Sequence, residues 1–282
     1  MEYIRRIVDD ELNKRKEAFN AINIIGPKGC GKTRTAKERC NTIIEFQDEE
    51  KRDGYLAVAE TSPRLFLKNA KPILFDEWQD APKIWGAIRK SIDDTGDVGM
   101  YILTGLSSHD VDTPHTGTMR ISRLVMLPMS LYESNESNGE ASLIDLFNNP
   151  NSFNGCVSSL TVDELIFAIC RGGWPRSLNL KSNKAKLEIA KDLFVQTYSV
   201  DINKISNVKR NPQVAQAILR SYSRNICTLA ETKTIYGDVA ANYDLSEPTY
   251  YSYLEDLNKL YIIDDIEPWC PAIRSKTAIR SS

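Results

Sequence analysis

The chain has 282 residues, 41% of them hydrophobic, and its 36 lysines and arginines against 38 aspartates and glutamates leave a net charge of −2. This is enough length and apolar content for a substantial core and two domains. The charge balance excludes a bulk polyanion binder, so any basic surface must be local, and the apolar runs are too short to cross a bilayer. Residues 1–20 are charged throughout and lack the apolar segment of a secretory signal, so a cytoplasmic location is expected. The six cysteines, Cys30, Cys40, Cys156, Cys170, Cys227 and Cys270, show no C-x-x-C pairing. Scattered buried thiols are therefore expected rather than a zinc site.

Ile4, Ile7, Val8, Leu12 and Ala18 recur at helical spacing among charges and predict an amphipathic helix over 2–18. Ile22, Asn23, Ile24 and Ile25 then form an apolar strand that runs into Gly26-Pro27-Lys28-Gly29-Cys30-Gly31-Lys32-Thr33, an unbroken G-x-x-x-x-G-K-S/T. A triphosphate is gripped mainly by backbone N–H groups, and a loop with Gly26, Gly29 and Gly31 has the freedom to fold around one. Lys32 would set an ammonium against the β- and γ-phosphates, Thr33 would offer a hydroxyl to Mg²⁺, and Arg34 opens the helix whose positive end faces the anion. Cys30 lies inside this loop, where a helix N-terminus would lower its pKa and expose it to oxidation.

The helix is expected to run to about Phe46, and Tyr55-Leu56-Ala57-Val58-Ala59 to form the second strand. Ser62-Pro63-Arg64 reads as a helix start. Pro72-Ile73-Leu74-Phe75-Asp76-Glu77 is a buried strand ending in Asp-Glu, the Walker B pattern, with Asp76 for the metal and Glu77 to orient the attacking water. An amphipathic helix over Ile84–Ile92 and a strand over Met100–Thr104 follow. Thr104, with Ser107 behind it, suits a sensor of the γ-phosphate or a plain strand-end turn. Arg120 and Arg123 suit an arginine finger, in cis or from a neighbouring subunit, or equally a solvated basic turn.

Glu133–Ser159 is rich in Ser, Asn and Gly and marks a domain boundary. The predicted organisation is a nucleotide domain over 1–135, a linker over 136–160, a helical lid-like region over 161–230 and a winged-helix-like module over 231–282. Thr161-Val162-Asp163-Glu164 is a capping box opening a helix that stops at Gly172-Gly173. Helices are expected over 184–204, 213–224, 234–242 and 247–260, with an extended 261–266. The helix over 247–260 would read DNA in a winged helix, yet it carries Glu247, Glu255 and Asp256 against Lys259. Tyr250, Tyr251 and Tyr253 on it suit a protein interface as well as a base-stacking surface.

GPKGCGKT, ILFDEWQDAP, YILTG, RISRLVMLPMSLYE and RGGWP together resemble a family of bacterial and archaeal AAA-type ATPases, in which a P-loop domain precedes a winged helix and a largely uncharacterised C-terminal domain. The resemblance implies an α/β P-loop fold, with one strand inserted between the phosphate-loop and Walker B strands. It implies ATP and Mg²⁺ as ligands, ATP hydrolysis as a switch for an attached or partner effector, and a possible homo-oligomer. It also implies that Gly173 and Pro175 form a G-x-P turn touching the adenine. Family members continue past Ser282 into a domain with a nuclease-like fold. The alternative is a DNA-binding regulator or protein scaffold that uses the nucleotide as a ligand only.

Overall fold

The computed structural model describes residues 3–105, 119–206 and 208–265. The chain divides into two compact units, residues 1–190 and 191–282. No described helix is long and apolar enough to cross a membrane.

The first unit is built on a parallel five-stranded sheet. Its strands are β1 (Ala21–Ile25), β2 (Thr42–Glu45), β3 (Ile73–Asp76), β4 (Tyr101–Gly105) and β5 (Ile121–Val125), in the order β2-β3-β4-β1-β5. Thus β4 lies between the phosphate-loop strand and the Asp-Glu strand, pairing Ile24 with Thr104 on one side and Asp76 with Thr104 on the other. The register brings the carboxyl ends of β1, β3 and β4 to one edge, where ligands of open α/β sheets bind.

Both faces are covered, as a parallel sheet requires. On one face α3 (Arg52–Thr61), a 3₁₀ turn (Pro63–Lys68) and α4 (Lys83–Thr95) pack a cluster containing Phe46, Phe66, Phe75, Ile88 and Tyr101. On the other, α1 (Val8–Ala18) and α2 (Lys32–Lys37) contribute Leu12 and Ala36 to a cluster with Ile22, Ile24, Leu74 and Ile102.

Three expectations are corrected here. The helix after the phosphate loop ends at Lys37 and is followed by strand β2, while residues 52–61 are helical rather than extended. Thr42, Ile43 and Ile44 are β-branched and stiff in a helix, and β2 claims the edge beside β3. Leu56, Ala57 and Ala59 are good helix formers on a segment that needs to bury only one side. The first helix also starts at Val8 rather than Glu2, because the Asp9 carboxylate accepts the Arg6 amide and Glu133 accepts that of Ile7.

After β5 come α5 (Leu143–Asn148), α6 (Val162–Arg171), α7 (Pro175–Leu178) and α8 (Asn183–Gln196). The Thr161/Glu164 capping box forms as expected, and α6 stops at Gly172. The second unit continues from α8 through a π turn (Thr197–Asp201) into α9 (Ile202–Ile205), α10 (Pro212–Asn225), α11 (Thr232–Ala240) and α12 (Glu247–Lys259). Its core includes Ile202, Ile218, Val239, Tyr250 and Leu257. Tyr250 and Tyr253 are thus interior, and only Tyr251 of the three tyrosines is exposed. After α12 the chain turns instead of extending, with the Ile262 amide donating to Leu257. Residues 266–282 of the expected winged-helix-like module lie outside the described residues, as does Ser107.

Candidate functional site

The phosphate loop leaves β1 and wraps into α2 through three glycines at positive φ: Gly26 at 148°, Gly29 at 74° and Gly31 at 106°. At Gly26 a Cβ would stand 2.1 Å from the Met126 carbonyl oxygen, so no other residue fits. Lys32 is buried in the loop and its Nζ donates to the carbonyls of Gly26 and Pro27 at 2.8 and 2.9 Å. Lys28 is exposed, and Arg34 pairs with Glu38 one turn along α2.

Three side chains expected to cooperate do meet. The Thr33 hydroxyl donates to Asp76 Oδ1 at 2.7 Å, and the Thr104 hydroxyl donates to the same oxygen. Asp76 and Thr104 are both buried. Glu77, the next residue, leaves β3 in the left-handed region at φ 53°. Burial lifts its carboxyl above the usual carboxylate range, against the opposing pull of the Gln79 amide and the Lys32 ammonium.

Cys30 does not behave as expected. Its side chain is fully buried, Sγ donates to the Met126 carbonyl at 3.2 Å, and burial raises the thiol pKa. Desolvation outweighs the nearby Lys32 and Arg6 charges.

The Gly-Gly-Trp-Pro turn is carried to the loop. Pro175 Cγ lies 3.6 Å from where a Gly31 Cβ would be, and the Trp174 ring 3.8 Å from that of Gly29. Gly173 is locked to Met129, whose amide donates to the Gly173 carbonyl at 2.7 Å. A Cβ at Gly173 would stand 2.0 Å from the Met129 oxygen. Beside this turn a cavity of about 190 Å³ opens between Tyr3, Ile4, Arg6, Thr35, Pro175 and Asn179.

Arg6 was not legible as a site residue. Its guanidinium, 5% exposed, donates to the Cys30 carbonyl at 2.7 Å, the Leu127 carbonyl at 2.8 Å and Glu133 at 2.8 Å. It thereby ties the N-terminal segment to the loop and to the chain after β5. Nothing in the spacing of an N-terminal arginine announces this.

Arg120 sits at the opposite edge of the sheet. Its carbonyl accepts the Ala21 amide at the start of β1, and its side chain pairs with Asp93. The length of β1, about 13 Å, separates that edge from the loop. Arg123 is mid-strand in β5, opposite Asn23, with its side chain exposed.

The site suits the ligands that the motif implies. A hydroxyl and a carboxylate are hard oxygen donors of the kind Mg²⁺ takes, and Lys32 adds the charge a phosphate chain needs.

Residues 18–135 match a family model described as AAA domain, and residues 162–282 match a Domain of unknown function (DUF8612). No curated protein matches the chain. Among solved structures, the Walker-type ATPase PABY2304 of Pyrococcus abyssi is similar at 15% identity and a TM-score of 0.56, over 94% of this chain and 91% of that one. AMPPCP-bound DnaA from Aquifex aeolicus aligns at 14% identity and a TM-score of 0.36, over 90% and 92%. The phosphate loop, the strand order and the match over residues 18–135 give this unit the AAA-type P-loop NTPase fold, and residues 162–282 match a domain of unknown function.

Proposed function

We propose that the chain binds ATP with Mg²⁺ and hydrolyses it as a nucleotide-dependent switch. The observation that carries this reading is the convergence of Thr33 and Thr104 on one oxygen of Asp76, beside a loop holding Lys32. Lys32 would exchange its two loop carbonyls for phosphate oxygens, and Thr33 and Asp76 would hold the metal. Mg²⁺, when bound, neutralises charge on the phosphates. Glu77 would orient the attacking water, and Thr104, bonded to Asp76, would report the state of the phosphate end. The cavity beside Pro175 would take the base, with Tyr3, Ile4 and Pro175 offering apolar contact and Asn179 a polar one. Arg120 and Arg123 lie away from their own loop, so a finger role for either would be exercised on a neighbouring copy.

The switch reading draws support from the turn that touches the loop. Pro175 reaches Gly31 and opens α7, so a change at the phosphates has a direct mechanical route to the helices that follow. The effector would be an attached or partner domain.

The test separates the two jobs. Lys32→Ala is expected to abolish binding of a fluorescent ATP analogue. Glu77→Gln should bind it within about twofold of wild type while phosphate release falls by roughly 100-fold or more. Equal loss of affinity in both variants would count against these roles.

A further inference from the structure

The Asp-Glu strand is followed by a residue that the proposed chemistry leaves unused. Residues Trp78–Asp80 form a 3₁₀ turn pinned by Trp78, which is 1% exposed and stacked on Trp85 at 4.8 Å. This turn sends the Gln79 side chain back toward the site, where its Nε2 donates to Glu77 Oε2. A carboxylate only accepts, so the nitrogen of the amide must face it. The other end, Oε1, is buried with no hydrogen-bond partner among the described residues. It occupies space that exists only because β4 ends in glycine, since a Cβ on Gly105 would stand 2.5 Å from it. Buried carbonyl oxygens are rarely left unsatisfied, and such exceptions gather at functional sites.

We propose that Gln79 is a positioning residue for hydrolysis, its amide holding the Glu77 carboxylate in one rotamer from a seat left open by Gly105. The proposal rests on the hydrolysis reading above. It joins the ends of β3 and β4, since Gly105 directly follows Thr104 and Thr104 is bonded to Asp76. Glu77 stands on a left-handed backbone and has no other side-chain hydrogen bond among those described, so Gln79 is what fixes its direction.

The experiment compares steady-state ATP hydrolysis and nucleotide affinity in the 282-residue wild type, Gln79→Leu, Gln79→Asn, Glu77→Gln and the double variant Glu77→Gln with Gln79→Leu. Leucine keeps the size of the side chain while removing both polar groups. Asparagine keeps the amide but is one methylene too short to span from the turn to Glu77. Each single change at Gln79 is expected to lower kcat about 10- to 100-fold, the usual effect of losing a group that orients a reacting one. KM and nucleotide Kd should stay within twofold, a split that general loosening of the fold would not give. In the Glu77→Gln background the leucine should cost nothing further, because the group it positions is gone. Unchanged kcat in both Gln79 variants, or an undiminished loss in the double variant, overturns the proposal. Wild-type protein that binds ATP without turnover brings down the hydrolysis reading itself and this role with it. Turnover that is indifferent to Gln79 brings down this role alone.

Discussion

At the scale of single residues, two carbonyl oxygens decide where side chains are forbidden. Those of Met126 and Met129 would lie 2.1 and 2.0 Å from a Cβ on Gly26 and Gly173. Backbone cannot yield cheaply in a packed interior. Gly173→Ala should therefore lower stability by more than about 2 kcal/mol and weaken nucleotide binding, because the turn that carries Pro175 must move. Gly86→Ala is the control. That glycine lies inside α4 with nothing within 4 Å of its would-be Cβ, so thermal melting should show a gain of about 1 kcal/mol. Cys30 gives a second test. Its thiol is buried and its pKa raised, whereas Cys156, Cys170 and Cys227 are exposed. Alkylation of the native protein followed by mass spectrometry should label those three first and Cys30 only under unfolding conditions; early labelling of Cys30 would contradict the burial seen here.

At the scale of elements, the sequence was most informative where a local rule has no competitor. The phosphate loop, the strand ending in Asp76 and the capping box of α6 are each set by residues within a few positions, and each formed as read. The stretch from Ala36 to Ala59 was misread because both of its segments depend on the sheet. Thr42–Glu45 becomes a strand only because β3 offers an edge, and residues 52–61 are left to cover the face beside Phe46 and Phe66. The contacts of Arg6, Met129 and Gln79 were invisible for the same reason, since their partners lie far along the chain or depend on the path of a turn. One such long-range tie predicts a pH dependence. Arg171, the last residue of α6 and 3% exposed, makes two hydrogen bonds to Glu136 at 2.7 and 2.8 Å. The Arg171 guanidinium holds the Glu136 carboxyl below its ordinary value of 4.5. A depressed carboxylate contributes stability that is complete above the unfolded value and fades as pH falls through the folded one. Glu136→Gln should therefore cost about 2 kcal/mol at pH 7, with the difference from wild type shrinking in denaturant melts below pH 4.5. A difference that stays constant down to pH 3 would assign the loss to packing rather than to the ion pair.

At the scale of the whole molecule, charge bears on the reading in which the second unit contacts DNA. Affinity for a duplex rises with the number of phosphates neutralised and counterions released. A net charge of −2 supplies no long-range attraction, so a basic face on the reading helix would have to supply it. On α12, Asp256 is turned inward, buried against Arg210 at 2.6 Å, and so takes the Arg210 charge out of play as well. What α12 presents outward includes Glu255 and Tyr251, with Glu247 half-buried and Lys259 paired to Glu255. The interior position of Tyr250 and Tyr253 also removes two of the three aromatic rings that a stacking surface would need. The expectation is weak or undetectable binding of duplex DNA by the full 282-residue chain in a fluorescence-anisotropy titration at about 50 mM salt, where weak electrostatic binding is still visible. Sub-micromolar affinity with a steep salt slope would overturn it and restore the DNA-binding regulator. The source of that affinity would then be read from the combined Arg274→Ala, Lys276→Ala and Arg280→Ala variant, which should flatten the slope by about one unit for each cation removed if those residues make the contact.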